Sequence, residues 1–328
     1  MRRLLVLLLL TACGQVAGAN DAGDDAAALL DAGSDAASAT DAASATDASS
    51  SATPEGAGPF AVTQSKTTVA TWAVTVFDPQ MPASARAPLV LFKHGFQLAT
   101  SDYATTLAQI ASHGYVVVGV DTPPSLFNGP TQADERDGVI AALDWALSSA
   151  APFAAHLDGA HVAASGHSRG GKIAVMVAAK DARISAVLGL DPVNGCGPNE
   201  AYSTTCPDVT SASFVPSLAV PAGYLGETSD SQCAPTSENY ATLYAASLKA
   251  PWAAEWTFAG AAHMTFTDDG GGLYGALCAK ASGNEPTLRD EIRTLAVAFL
   301  DRHLRGDTSM DAWLIGSLAP KDAQVAHK

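Results

Sequence analysis

Between residues 85 and 305 the hydrophobic pattern of the chain changes period repeatedly. The runs "LVLFKHGF", "YVVVGVDTP", "HVAASGHS" and "ISAVLGLDP" are apolar without polar alternation, as strands buried on both faces are. Between them stand "DYATTLAQIASHG", "QADERDGVIAALDWALSSA" and "RGGKIAVMVAAK", whose apolar residues recur at helical spacing. This alternation predicts a mostly parallel central sheet with helices on both faces, an α/β architecture. A strand "SLAVPAGYLGE", a helix around "ENYATLYAASLKA", a strand "WAAEWTFAG" and a closing helix "LRDEIRTLAVAFLDRHL" continue the series. Ahead of it, "FAVTQSK" and "VATWAVTVFDP" read as two opening strands, followed by the proline-bounded loop "PQMPASARAP".

Both ends break the pattern. "MRRLLVLLLLTACGQ" has two arginines, a short apolar run and small residues before Cys13, which is export-signal architecture too short to span a bilayer. "LTAC" resembles the bacterial lipobox, which implies a signal peptide over residues 1–13 and an acyl chain on Cys13. The expected location is the bacterial cell envelope, membrane-anchored and facing the periplasm or the surface. Residues 14–58 are Ala, Asp, Ser, Thr and Gly with a loose "DAASAT" repeat, a composition that cannot bury enough apolar surface to offset chain entropy. We read them as a disordered acidic linker, residues 59–305 as one catalytic domain, and 306–328 as a C-terminal tail.

The chain carries a net charge of −15. Eight of its 33 acidic and two of its 18 basic residues precede position 59, so the remainder still stands at −9. That balance excludes nucleic acid as a natural partner. A monomer is expected, and no cofactor is called for. Four cysteines follow Cys13, and in an oxidising compartment Cys196–Cys206 and Cys233–Cys278 are the pairs we favour, with free thiols the alternative. No metal site is expected, because no two of these cysteines lie near each other with a histidine at ligand spacing.

Chemistry is concentrated in "SGHSRGG". Gly166-x-Ser168-x-Gly170 has the spacing of a nucleophile elbow, in which a strand turns sharply into a helix and presents a strained serine; side chains at the flanking positions would collide. A five-residue pattern of this kind arises by chance in about one chain in ten of this length, so its strand-before, helix-after context matters. The order of elements is that of the α/β-hydrolase fold, in which a serine is followed by an acid and then a histidine. Of eight histidines only His263, His303 and His327 come late enough. His303 lies near the end of the last helix and His327 in the tail, which leaves His263, just past the last strand, as the base. Asp191 ends the strand one after the elbow and Asp230 follows the next, so either serves as the acid. Arg169, next after the serine, supplies one backbone N–H for an oxyanion. His94 and His167 are read as packing or hydrogen-bonding groups around the elbow.

"GHSRGGK" followed by "ISAVLGLDPVNG" resembles the chlorophyllase family. "LFKHGF", "IASHGYVVVGVDTP", "CAP" at Cys233 and "AAHMTFTDD" follow in the same order, so the resemblance covers most of residues 85–270. It implies Asp191 as the acid and Phe96 as the second oxyanion N–H. The chain is also similar to platelet-activating-factor acetylhydrolases and to the cutinase-like polyester hydrolases of the dienelactone-hydrolase superfamily; the latter place the acid one strand later, where Asp230 lies. The long loop from Val193 to Pro216 is expected over the serine, with Phe96, Phe127, Trp252, Met264 and Phe266 forming an apolar cleft. These features predict a serine carboxylic-ester hydrolase, lipase-like or esterase-like, acting on hydrophobic esters through an acyl-enzyme. The alternatives are a polyester- or cutin-degrading hydrolase and a non-catalytic envelope lipoprotein that keeps the fold.

Overall fold

A computed structural model of the chain describes residues 53–124, 129–197, 200–229 and 232–328. Cys13, Phe127 and Asp230 lie outside the described residues, as does most of the acidic segment.

Among the described residues, nine strands form one sheet: β1 (Val62–Val69), β2 (Trp72–Pro79), β3 (Ala87–Lys93), β4 (Val116–Asp121), β5 (Leu157–His167), β6 (Ala186–Leu190), β7 (Ala222–Glu227), β8 (Ala253–Phe258) and β9 (Ala323–His327). Their order is β1-β2-β4-β3-β5-β6-β7-β8-β9. The six from β4 to β8 run parallel, while β1, β2 and β9 are antiparallel to their neighbours. Helices α1 (Ala104–Ser112), α2 (Gln132–Ala146), α3 (Arg169–Lys180), α4 (Tyr240–Ala246), α5 (Gly272–Gly275), α6 (Glu285–Leu304) and α7 (Asp311–Leu314) complete the α/β-hydrolase architecture. Among the described residues, no helix is long and apolar enough to cross a membrane.

The unbroken apolar strands have a direct cause. In β3, Leu89 and Leu91 pack with α2, α3 and α4, whereas Val90 and Phe92 pack with α1, α6 and α7. Strand β4 divides in the same way, with Val116, Val118 and Val120 on one face and Val117 on the other. From Leu89 to Phe92 and from Val116 to Val118 every position meets a helix layer, so none of these is left for a polar residue.

Two boundaries differ from the sequence reading. Gly58 N–H donates to Ser112 Oγ (2.8 Å) and Phe60 N–H to Ser112 O (3.0 Å), so the end of the acidic segment docks on the C-terminus of α1. Residues 306–328 are no tail: they carry α7 and then β9, which pairs with β8 from Ala254↔His327 to Phe258↔Ala323. This edge strand is short and mostly exposed, so its apolar content is too low to mark it as a strand in the sequence.

Candidate active site

The elbow is built by steric exclusion. Ser168 stands between β5 and α3 at φ 57°, ψ −125°, a left-handed conformation that a non-glycine residue keeps only when its surroundings enforce it. A Cβ on Gly166 would lie 2.4 Å from the Gly170 carbonyl carbon, one on Gly170 2.0 Å from Lys93 O, and one on Gly171 2.7 Å from Pro192 Cβ. All three positions therefore require glycine, which is what the turn of α3 against the ends of β3 and β6 demands.

Asp191 follows β6 at φ 42° and is fully buried. Its N–H donates to Leu225 O (2.6 Å), while Ser168 N–H donates to Leu190 O (3.0 Å) and Val193 N–H to Ser168 O (3.1 Å). The two corners are thus fixed to each other by backbone bonds. His263 opens a 3-10 turn after β8, and its imidazole joins them: Nε2 is 2.9 Å from Ser168 Oγ and Nδ1 is 2.6 Å from Asp191 Oδ2. With the proton on Nδ1 donated to the carboxylate, Nε2 is left to accept from the hydroxyl, the polarity that lets an imidazole draw off a hydroxyl proton.

His167, beneath the elbow, is fully buried and hydrogen-bonded at both ring nitrogens. Its Nε2–H donates to the His263 carbonyl (3.0 Å), and its Nδ1 accepts from the Tyr103 hydroxyl (2.7 Å), which in turn accepts from Gly95 N–H (3.1 Å). Burial, and then the neighbouring His263, hold its pKa well below the ordinary imidazole value, so it stays neutral and keeps this polarity. Tyr103 was missed altogether, since a tyrosine at the start of a helix carries no sequence signal for so distant a contact. On the far side of the turn, Asp268 accepts from the N–H groups of Thr105 and Thr106 at the start of α1 (2.6 and 3.2 Å) and pairs with Arg293 of α6 (3.1 Å), which anchors the segment carrying His263.

Among the described residues, the backbone N–H groups of Phe96 and Arg169 have no acceptor. The two residues also touch through their side chains, with the Arg169 guanidinium 5.6 Å above the exposed Phe96 ring. Position Asp230 lies outside the described residues, but β7 does end in a buried carboxylate, Glu227, whose Oε2 accepts from Ser229 N–H.

The expected apolar cleft is only partly assembled. Phe266 is buried and stacks on the His167 ring (6.2 Å), and Met264 is buried beside a cavity of about 280 Å³ that Thr265, Gly270, Ala276 and Lys280 help to line. Trp252 precedes β8 and therefore sits at the end of the sheet remote from His263, against His303 (4.5 Å) and Phe299 (5.9 Å). The described residues of the loop after Val193 pack on α2 and α3. The Cys196–Cys206 disulfide closes it, Gln132 Nε2 donates to Gly195 O (3.1 Å), Ala133 N–H donates to Thr205 O (3.0 Å), and Val209 and Val215 enter the core beside α3. These contacts set its described residues against the starts of α2 and α3. The second favoured disulfide, Cys233–Cys278, is also present. Among the described residues, no cluster of His, Cys, Asp or Glu could hold a metal ion.

A strained serine at a strand-to-helix corner, with an imidazole and a buried carboxylate in line behind it, sits here on the sheet of an α/β-hydrolase. The chlorophyllase family model matches residues 52–322, and the chain belongs to that family, whose members are hydrolases acting on esters. It is 31% identical over 249 residues to chlorophyllase-1 of Arabidopsis thaliana, covering 67% of this chain and 73% of that protein. Chlorophyllase-2 of the same plant is 30% identical over 247 residues (67% and 74%), and chlorophyllase type 0 of Chenopodium album 27% over 304 residues (83% and 85%).

Proposed function

We propose that the protein is a serine carboxylic-ester hydrolase with Ser168 as nucleophile, His263 as general base and Asp191 as the acid that orients it. The observation that carries this reading is the His263 imidazole, bonded at once to Ser168 Oγ (2.9 Å) and Asp191 Oδ2 (2.6 Å). Ser168 Oγ attacks the ester carbonyl carbon as its proton passes to His263 Nε2. The carbonyl oxygen becomes an oxyanion received by the N–H groups of Phe96 and Arg169, and each such donor is worth roughly 10²–10³ in rate. Collapse of the tetrahedral species expels the alcohol, which takes the proton back from Nε2. Water then repeats the sequence on the acyl-enzyme and releases the acid. The exposed Phe96 ring beside Arg169 favours hydrophobic esters. Export and anchoring through Cys13 belong to the same proposal and rest on the residues around it.

Short p-nitrophenyl esters should be hydrolysed by protein lacking residues 1–58, a fluorophosphonate should label Ser168, and Ser168→Ala should abolish both. Asp191→Asn should lower kcat by about 10⁴-fold, because the imidazole loses the partner that sets its tautomer. Wild-type turnover after Asp191→Asn, with collapse after Asp230→Asn, would overturn the choice of acid.

A further inference from the structure

Besides His167 and Lys172, the ionisable side chains of Lys93 and His94 at the end of β3 and of Glu135 on α2 are buried near the serine and take no part in the triad. Lys93 Nζ donates to His94 Nε2 (2.7 Å), Thr122 Oγ1 (2.7 Å) and Val120 O (3.2 Å), which uses all three ammonium hydrogens. His94 Nε2 also accepts from Thr122 N–H (2.9 Å), so the imidazole proton lies on Nδ1 and is donated to Gly95 O (2.7 Å). Thr122 Oγ1 donates onward to Glu135 Oε1 (3.2 Å). The same carboxylate holds the Arg169 guanidinium at two points, Oε2 to Nε (3.2 Å) and Oε1 to Nη2 (3.1 Å).

The consequence lies in the peptide plane. Gly95 C=O and Phe96 N–H belong to one rigid trans unit and point in opposite directions, so an imidazole that grips the carbonyl fixes the direction of the N–H. At the other end, Glu135 grips the side chain of the residue whose own N–H is the second donor. On the reading of the site given above, we infer that Glu135, Thr122, Lys93 and His94 form a buried positioning relay that aims both oxyanion donors from one carboxylate. Burial pulls the Lys93 pKa down to about 8 against the opposing pull of Glu135 and Asp121, which leaves it an ammonium at neutral pH, as the relay requires.

The relay acts on the transition state and not on ground-state binding, and the test exploits that difference. Glu135→Gln, Lys93→Met and His94→Ala are to be compared with wild type and Ser168→Ala. The readouts are kcat and KM on a p-nitrophenyl ester, the Kd of a trifluoromethyl ketone that forms a tetrahedral adduct, and thermal melting. Each relay variant should lose 10- to 100-fold in kcat with KM within twofold, and the Kd of the ketone should rise by the same factor. Glu135→Gln, which keeps size and polarity, decides the matter if His94→Ala does not fold. Folded relay variants with wild-type kcat, or a parallel change in kcat and KM without weaker ketone binding, overturn the relay while the triad reading stands. A Ser168→Ala protein that keeps wild-type turnover overturns both.

Discussion

The two sides of the proposed site use glycine for opposite reasons. On the elbow side, Gly166, Gly170 and Gly171 exist because an added Cβ would strike backbone or a proline ring at 2.0–2.7 Å. On the side of His263, Gly270 and Gly272 have positive φ (84° and 55°) with nothing within 4 Å of an added Cβ, and Gly271 would meet a flexible Met264 side chain. The first set is required by close approach, the second by backbone direction. Their anchoring differs accordingly. The elbow is held by packing and by backbone bonds to β6, and the segment after His263 by the Asp268 contacts to α1 and the Cys233–Cys278 staple. A hydroxyl at a corner that cannot give therefore faces an imidazole carried on a tethered turn.

The sharpest way to break this contrast is Gly170→Ala. The new methyl would press on the carbonyls of Lys93 (2.0 Å) and His94 (2.6 Å) and push the Phe96 loop away from Ser168. A displacement of about 1 Å at reacting groups can cost roughly 10²-fold in rate, and overpacking of this severity costs about 3 kcal/mol. We expect at least that loss of kcat together with a lower midpoint of urea unfolding. Activity within a factor of three of wild type would mean that the corner yields, and the contrast between the two sides would collapse.

The same distinction decides what the sequence could reveal. Glycine spacing leaves a short motif even where the partner is remote, as Gly170 against Lys93 and Gly171 against Pro192 show, so the elbow, the alternating strands and helices, and the placement of Asp191 after β6 and His263 after β8 are all legible in short stretches. Contacts that leave no such motif are not. Tyr103 reaches His167, 64 residues on, and β9 finds β8 from a segment with no apolar signature. Trp252 lies next to a strand end, but it opens the run that His263 follows, so chain order alone puts it at the opposite end of β8 from the site. One signal was present and unused. A lysine closing the apolar run of β3 and another within α3 are both too costly to bury without dedicated partners. Lys93 has the relay, and Lys172 donates to the Asn194 carbonyl under the disulfide-closed loop.

A smaller effect sharpens the comparison through acid. His94 and His167 flank the elbow, and both are held neutral, chiefly by burial, with pKa values well below 6.5. The unfolded chain takes up these two protons near pH 6.5 and the folded chain does not. Their contribution is therefore complete above that pH and is lost as the pH falls through and below it. With both unfolded imidazoles protonated, the slope reaches about 3 kcal/mol per pH unit. Melting temperature measured from pH 7.5 to 5 should fall steeply below 6.5, and the fall should be shallower in His167→Gln, which keeps a donor for the His263 carbonyl. A variant with the wild-type slope would show that the elbow side is not the acid-sensitive half.

The smallest expected effect comes from Gly270→Ala. Its methyl meets nothing within 4 Å, so the only penalty is that of an L-residue at φ +84°, about 1–2 kcal/mol. In a domain of this size that lowers the melting temperature by about 2–6 °C. The Asp268 bonds to Thr105 and Thr106, and those of His263 to Ser168 and Asp191, all arise before position 270 in the chain, so kcat should stay within twofold of wild type. A kcat loss approaching that of Gly170→Ala would mean that backbone direction at Gly270 is transmitted to the imidazole, and the tethered turn would then be as exacting as the packed corner.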